Sequence, residues 1–156
     1  MKKVKLNDEN IHKGYLILIN PDNLLKTNEI KLISYSEKYK NIELDQVANS
    51  QLQKALKSIN ANDEIVPISG VRTFEEQKRL YTDSIIENGE EYTKKFVALP
   101  NASEHQTGLG IDMTSQSVVD KQRLVFGDTT EYKWVVENCA KYGFIVRFTE
   151  GTDGIT

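Results

Sequence analysis

Ser103-Glu104-His105-Gln106-Thr107-Gly108-Leu109-Gly110-Ile111-Asp112 holds one of the two histidines of the 156-residue chain, two of its nine glycines and a carboxylate inside an apolar run. From Gly108 to Thr114 the apolar residues Leu109, Ile111 and Met113 alternate with Gly110, Asp112 and Thr114, and a period of two predicts a half-buried strand. A carboxylate in mid-strand lowers strand propensity and, once partly buried, demands a strong partner. Gly110 removes bulk beside it, and a glycine within a strand often marks the close approach of a ligand. His105 lies upstream, where Pro100 and Asn101 predict a loop, so the chain can fold it back toward Asp112. The spacing excludes a single helical face. An imidazole nitrogen with a carboxylate oxygen suits zinc, with iron or another divalent ion left open. The same residues also fit an ordinary strand with an exposed Asp and a surface His.

The neighbouring segments supply a framework. Ahead of the stretch, Ile65–Ser69 predicts a strand, with Pro67 favouring an edge or an irregular position. Thr73-Phe74-Glu75-Glu76 forms a capping-box pattern that opens a helix to about Asn88, stopped by Gly89. Leu80, Tyr81 and Ile85 form its expected core stripe. Gln77 shares that stripe, and a buried amide must find hydrogen-bond partners, so it is expected to face a polar pocket. Arg72, just before the cap, is expected near the same pocket, the alternative being a surface cation. Glu90 to Ala98 predicts a further helical turn or two. Asp45 starts an earlier helix with Ala48, Leu52, Ala55, Leu56 and Ile59 on one face. Met1–Lys13 reads as a flexible polar lead-in with an exposed His12. Tyr15–Ile19 reads as a short strand ended by the Asn20-Pro21-Asp22-Asn23 turn. Leu24–Leu44 reads as a surface excursion, with a short strand around Ile30–Ser34.

Past the central stretch, Gln116–Gly127 reads as a polar connection and Asp128-Thr129-Thr130-Glu131 as a second capping box. The helix behind it is expected to bury Tyr132, Val135, Val136, Cys139 and Ala140 and to stop at Gly143. Phe144, Val146 and Phe148 alternate, which predicts a last strand, followed by a turn at Glu150–Gly154.

Length and composition fit one soluble domain. The net charge of −3 and the absence of a basic stripe argue against a nucleic-acid partner. No run is long and apolar enough for a signal peptide or a membrane span, so the chain as written is expected in the cytoplasm. The lone Cys139 cannot form an internal disulfide and reads as a buried thiol. Nothing in the sequence bears on oligomeric state.

Ser103-x-His105-x-x-Gly108-x-x-x-Asp112 resembles the zinc motif of the D-alanyl-D-alanine peptidase family, which includes the VanY carboxypeptidases, VanX dipeptidases and bifunctional VanXY enzymes. Ser69-Gly70-Val71-Arg72-Thr73 with Gln77 is similar to its second motif. Trp134 through Phe148, with Asn138, Tyr142-Gly143-Phe144 and Arg147, is similar to its third block. The likeness runs in order from about Leu16 onward and is nearest the VanXY type. It implies an α+β, Hedgehog/D,D-peptidase-like fold, with a small mainly antiparallel sheet and packed helices in a single domain spanning 1–156. It implies Zn2+ on His105 and Asp112, Arg72 on the oxyanion of the scissile carbonyl, and Gln77 and Ser103 on the substrate. The implied substrates are the D-Ala-D-Ala dipeptide or muropeptides ending in it, a chemistry tied to vancomycin resistance. Members of the family also carry Glu-x-x-His, a general base and third zinc ligand, in a strand that would follow Ile155-Thr156. By that reading residues 1–156 alone are expected to be inactive. A peptidoglycan endopeptidase of the same fold, or a noncatalytic zinc- or muropeptide-binding module, are the alternatives.

Overall fold

The computed structural model of the protein describes residues 3, 5, 7, 10–26, 30–59, 64–122 and 125–148. As far as these residues go, the chain divides into two compact units, one built from Lys31–Gly70 with Ile111–Gly151, the other from Met1–Ile30 with Val71–Gly110. The expected mixture of helices and small antiparallel sheets is present, the described strands forming two pairs.

In the first unit, β1 (Leu32–Ser34) and β2 (Glu43–Asp45) pair antiparallel, with Ile33 opposite Leu44. Helix α1 (Gln46–Lys57) starts where expected, because the Asp45 carboxylate accepts the Val47 and Ala48 amides at 2.9 and 3.0 Å. These are amides that the first helical turn cannot satisfy internally. Its stripe of Ala48, Leu52 and Ala55 is buried, as are Tyr35, Ile42 and Leu44. Tyr35, Ile42, Leu44 and Leu52 form one core cluster, with Ile111, Met113 and Phe144 packed against it. Leu24–Leu44 is therefore not a surface excursion throughout. Its second half supplies core residues, concealed in the sequence because they are separated by the charged turn around Glu37–Lys40. Asn49 is also buried, its amide donating to the Ser34 and Tyr35 carbonyls.

Strand β3 (Ile65–Ser69) pairs antiparallel with β4 (Asp112–Ser115). Among the described residues Pro67 sits on a strand with one neighbour, which suits its missing N–H. The strand predicted over Gly108–Thr114 begins later, at Asp112. Helix α4 (Gln116–Val119) follows directly within the predicted connection. Helix α5 (Thr130–Asn138) is capped by Thr129, whose hydroxyl accepts the Tyr132 amide at 3.1 Å. The cap thus lies one residue after the expected Asp128, and Glu131 is buried. Val136 and Ala140 are exposed and Cys139 is half-buried. A 3-10 turn over Cys139–Tyr142 ends at Gly143. The strand expected at Phe144–Phe148 does not form. Phe144 packs on the core, but Ile145 is 83% exposed and no strand pairs with this segment among the described residues. The Glu150–Gly154 turn lies outside the described residues.

In the second unit, Asn10–His12 forms a 3-10 turn in which His12 is half-buried. Tyr15–Ile19 is not a strand; Tyr15 and Leu16 are exposed. The turn behind it is real, with Asn20 Oδ1 accepting the Asp22 and Asn23 amides at 3.0 and 2.8 Å. Helix α2 (Phe74–Asn88) has the full capping box, and two hydrogen bonds from Thr73 hold the Glu76 carboxyl below its usual range. Helix α3 (Glu90–Phe96) follows Gly89. The buried face of α2 differs from the expected stripe. Leu80 and Ile85 are exposed, whereas Gln77 and Ser84, two turns apart, are buried. The helices meet through polar groups, the Ser84 and Thr93 hydroxyls lying 2.8 Å apart. Leu80 and Ile85 flank this polar seam rather than form it.

The cap of α1 gives a direct test of this account. Asp45→Ala should destabilise the protein by about 1 kcal/mol, and Asp45→Asn by less. Urea unfolding measures both, and an Asp45→Ala variant as stable as the parent would refute the cap assignment.

Candidate functional site

Four of the five candidate residues lie in the second unit. Arg72 directly precedes the cap of α2, and its backbone N–H donates to the His105 carbonyl at 3.2 Å. One terminal nitrogen of its guanidinium donates to Gln77 Oε1 at 3.0 Å, and Gln77 Nε2 donates to the Ala98 carbonyl at 2.7 Å. Gln77 is 1% exposed. Its amide therefore works as a strut, with one end on the chain after α3 and the other on the arginine. Arg72 is half-buried and is not a loose surface cation.

His105 sits in a 3-10 turn over Glu104–Thr107, with Ser103 at its head and Gly108 closing it at φ 70°. That dihedral suits glycine, which has no Cβ to clash in the left-handed region. His105 and Ser103 are 3% and 1% exposed, so the surface-histidine alternative is excluded. The turn is braced internally. The Thr107 hydroxyl donates to the Glu104 carbonyl, and the Gln106 amide exchanges hydrogen bonds with Asn101. A Cβ on Gly110 would come within 2.8 Å of Glu104 Cγ. The neighbour that crowds Gly110 is thus the chain's own Glu104, a different cause from the ligand approach expected there.

Asp112 belongs to the first unit, at the start of β4, and is exposed. Its Oδ2 accepts a hydrogen bond from the Ser69 hydroxyl at 2.6 Å. Gly70, next along, is packed so closely on the Glu43 carbonyl oxygen that a Cβ would overlap it. Sequence reasoning placed Ser69 and Gly70 in a motif without assigning either a task. The cross-strand pairing was the signal that could have linked Ser69 to Asp112. In the same unit a cleft of about 370 Å³ is lined by Tyr35, Lys38, Tyr39, Gln53 and Glu64 among others, and none of the five candidate residues lines it. Burial pushes the Tyr35 hydroxyl there up to about 12.

A buried imidazole and a carboxylate oriented by a hydroxyl are donors of the kind zinc takes. They number two, whereas a catalytic zinc keeps three protein ligands. Among the described residues no group of three or more His, Cys, Asp or Glu side chains could hold a metal ion. His105 and Asp112 are each of a donor type that zinc takes.

The family model of VanY, D-alanyl-D-alanine carboxypeptidase, matches residues 41–156, and the chain belongs to this family. The bifunctional D-Ala-D-Ala dipeptidase and D-Ala-D-Ala carboxypeptidase VanXYC of Enterococcus gallinarum is 34% identical over 90% of this chain and 76% of its own. The crystal structure of the vancomycin-resistance D,D-dipeptidase VanXYg, in complex with a D-Ala-D-Ala phosphinate analogue, superimposes with a TM-score of 0.82. It is 36% identical, over 97% of this chain and 62% of that one. A vancomycin-resistance D,D-pentapeptidase VanY in complex with Zn(II), 24% identical over 91% of this chain and 83% of that one, shares the fold with a TM-score of 0.72. The chain spans between 34% and 76% of the length of the curated relatives it matches. No helix among the described residues is long and apolar enough to cross a membrane.

The strut predicts a stability effect independent of activity. Gln77→Leu keeps the volume but strips hydrogen bonds from the Ala98 carbonyl and the Arg72 guanidinium. The expected loss is about 1–3 kcal/mol, the range for leaving buried polar groups unsatisfied. A urea midpoint unchanged by the substitution would show that the amide carries no such load.

Proposed function

We propose that the protein is a zinc-dependent D,D-peptidase that removes the terminal D-Ala from the D-Ala-D-Ala dipeptide or from muropeptides ending in it. The proposed compartment is the cytoplasm, where such cleavage would deprive vancomycin of its target. The observation that carries the reading is the braced guanidinium of Arg72, tied by its side chain to Gln77 and by its backbone to His105. Membership of the family and the D,D-dipeptidase activity of the VanXY relatives support it.

In this reading the His105 imidazole and the Asp112 carboxylate would hold the ion. Bound zinc supplies a Lewis acid for the peptide carbonyl and lowers the pKa of water. The guanidinium of Arg72 offers a planar fork of donors. Because Gln77 already orients it, little reorganisation is needed when negative charge develops on the scissile oxygen. Ser103, at the head of the His105 turn, is assigned to the substrate backbone or carboxylate. Gln77 acts on substrate chiefly by setting the guanidinium.

The test is to incubate the zinc-loaded full-length protein with D-Ala-D-Ala and with a precursor pentapeptide and to identify products by mass. Release of D-Ala that a chelator abolishes and zinc restores supports the proposal. Cleavage at an internal bond would assign an endopeptidase, and zinc binding without turnover a binding module. In an active protein, Arg72→Ala should lower kcat by roughly 100- to 1,000-fold, as loss of an oxyanion donor does. A change confined to KM would assign Arg72 to ground-state binding instead.

A further inference from the structure

The pairing of β3 with β4 contains an offset that changes which residue faces Asp112. Ile65 stands opposite Ser115, Val66 opposite Thr114 and Pro67 opposite Met113. Continued without a break, this register would bring Ile68 opposite Asp112. The register instead shifts between Pro67 and Ser69, so that Ser69 is the partner of Asp112. An extra residue on one strand is the signature of a β-bulge, which re-aims the side chains beyond it. Here it turns Ile68 outward, at 59% exposure, and brings a hydroxyl where the branched isoleucine side chain would have been. The hydroxyl makes a short bond, 2.6 Å from Ser69 Oγ to Asp112 Oδ2. That length is typical of a hydroxyl donating to a charged carboxylate. The end of β3 is held in place as well, since Gly70 is packed against the Glu43 carbonyl oxygen with no room for a Cβ.

An exposed bulge that places an isoleucine in solvent gains nothing from apolar burial. Its visible product is the orientation of one carboxylate. Groups that hydrogen-bond to a metal-ligating carboxylate fix its rotamer and thereby the geometry it offers the ion. We infer that Ser69 is a positioning residue for Asp112, and that the bulge at Ile68 exists to put its hydroxyl there. This rests on the reading of Asp112 as a zinc ligand.

The experiment measures zinc affinity of the full-length protein by competition with a chromophoric chelator, together with the melting temperature with and without zinc. The variants are Ser69→Ala, Ser69→Thr, Asp112→Ala and His105→Ala. Ser69→Ala is expected to weaken zinc binding by roughly 10- to 100-fold, the usual consequence of removing such a partner. Its metal-free melting temperature should stay near that of the parent, while its zinc-induced rise in melting temperature shrinks. Ser69→Thr, which keeps the hydroxyl, should recover most of the affinity. A purely structural serine would lower the metal-free melting temperature and leave zinc affinity alone, and that result overturns the inference. So does a Ser69→Ala variant that binds zinc like the parent while Asp112→Ala does not; the zinc reading would then stand without it. If Asp112→Ala and His105→Ala both bind zinc as the parent does, the zinc reading fails and the inference with it.

Discussion

The one-residue slip between β3 and β4 is the constraint on which the carboxylate side of the proposed site depends. Because strand side chains alternate with a period of two, shifting one strand by a residue exchanges its faces. Before the slip, Ile65 and Val66 are buried on one strand and Thr114 and Ser115 on the other. After it, the facing pair is Ser69 and Asp112, both polar and hydrogen-bonded. The bulge is thus the boundary between a packed half of the ladder and a chemically exposed half. One strand pair can then serve stability and present a carboxylate, which an unbroken register would have set against Ile68.

The other unit solves a similar problem with a buried amide. Gln77 lies buried in the first turn of α2, where an apolar residue would be the ordinary choice. A satisfied buried hydrogen bond contributes only about 1 kcal/mol net, while an unsatisfied one costs more than that. A leucine there would leave the Ala98 carbonyl and the guanidinium short of a partner, so the amide both satisfies them and sets direction: it tells the Arg72 guanidinium where to point. The hydroxyl pair of Ser84 and Thr93 repeats this polar character two helical turns further along. The apolar residues of α2 are left at its margins, with Ile86 78% exposed.

What could be read from the residues follows from how local each signal is. The capping box at Thr73 and the Asp45 cap are set by neighbours within three residues, and both helices start where the pattern puts them. The turn at Asn20 is equally local. Strand assignments failed where alternation had no partner to pair with. Tyr15–Ile19 and Phe144–Phe148 alternate or run apolar, yet a strand exists only through its ladder, and the described residues offer them none. Hydrophobicity does not mark the packed face of α2, because that face is polar. Within the site, the burial of Gln77 was legible from its place on the helix. The hydroxyl on Asp112 was not, because it depends on a register shift that no pattern in β3 alone reveals.

The family motifs carry two kinds of information that the structure separates. Gly108 closes the His105 turn in a left-handed conformation, Gly110 yields space to Glu104, and Gly70 yields it to the Glu43 carbonyl. None of these glycines can touch a substrate through a side chain, and each fixes a backbone path. A match to the motifs is therefore already a statement about fold, which is why membership of the family and the α+β architecture agree so closely. In the proposed function the chemical content lies in the few side chains those paths deliver: the imidazole of His105, the carboxylate of Asp112 and the guanidinium of Arg72. Each is secured by a different device, namely a short turn, a bulged strand pair and an amide strut. Substituting a device would leave the motif's reactive residues in place and still remove their geometry, so conserving the reactive side chains alone would not conserve the chemistry.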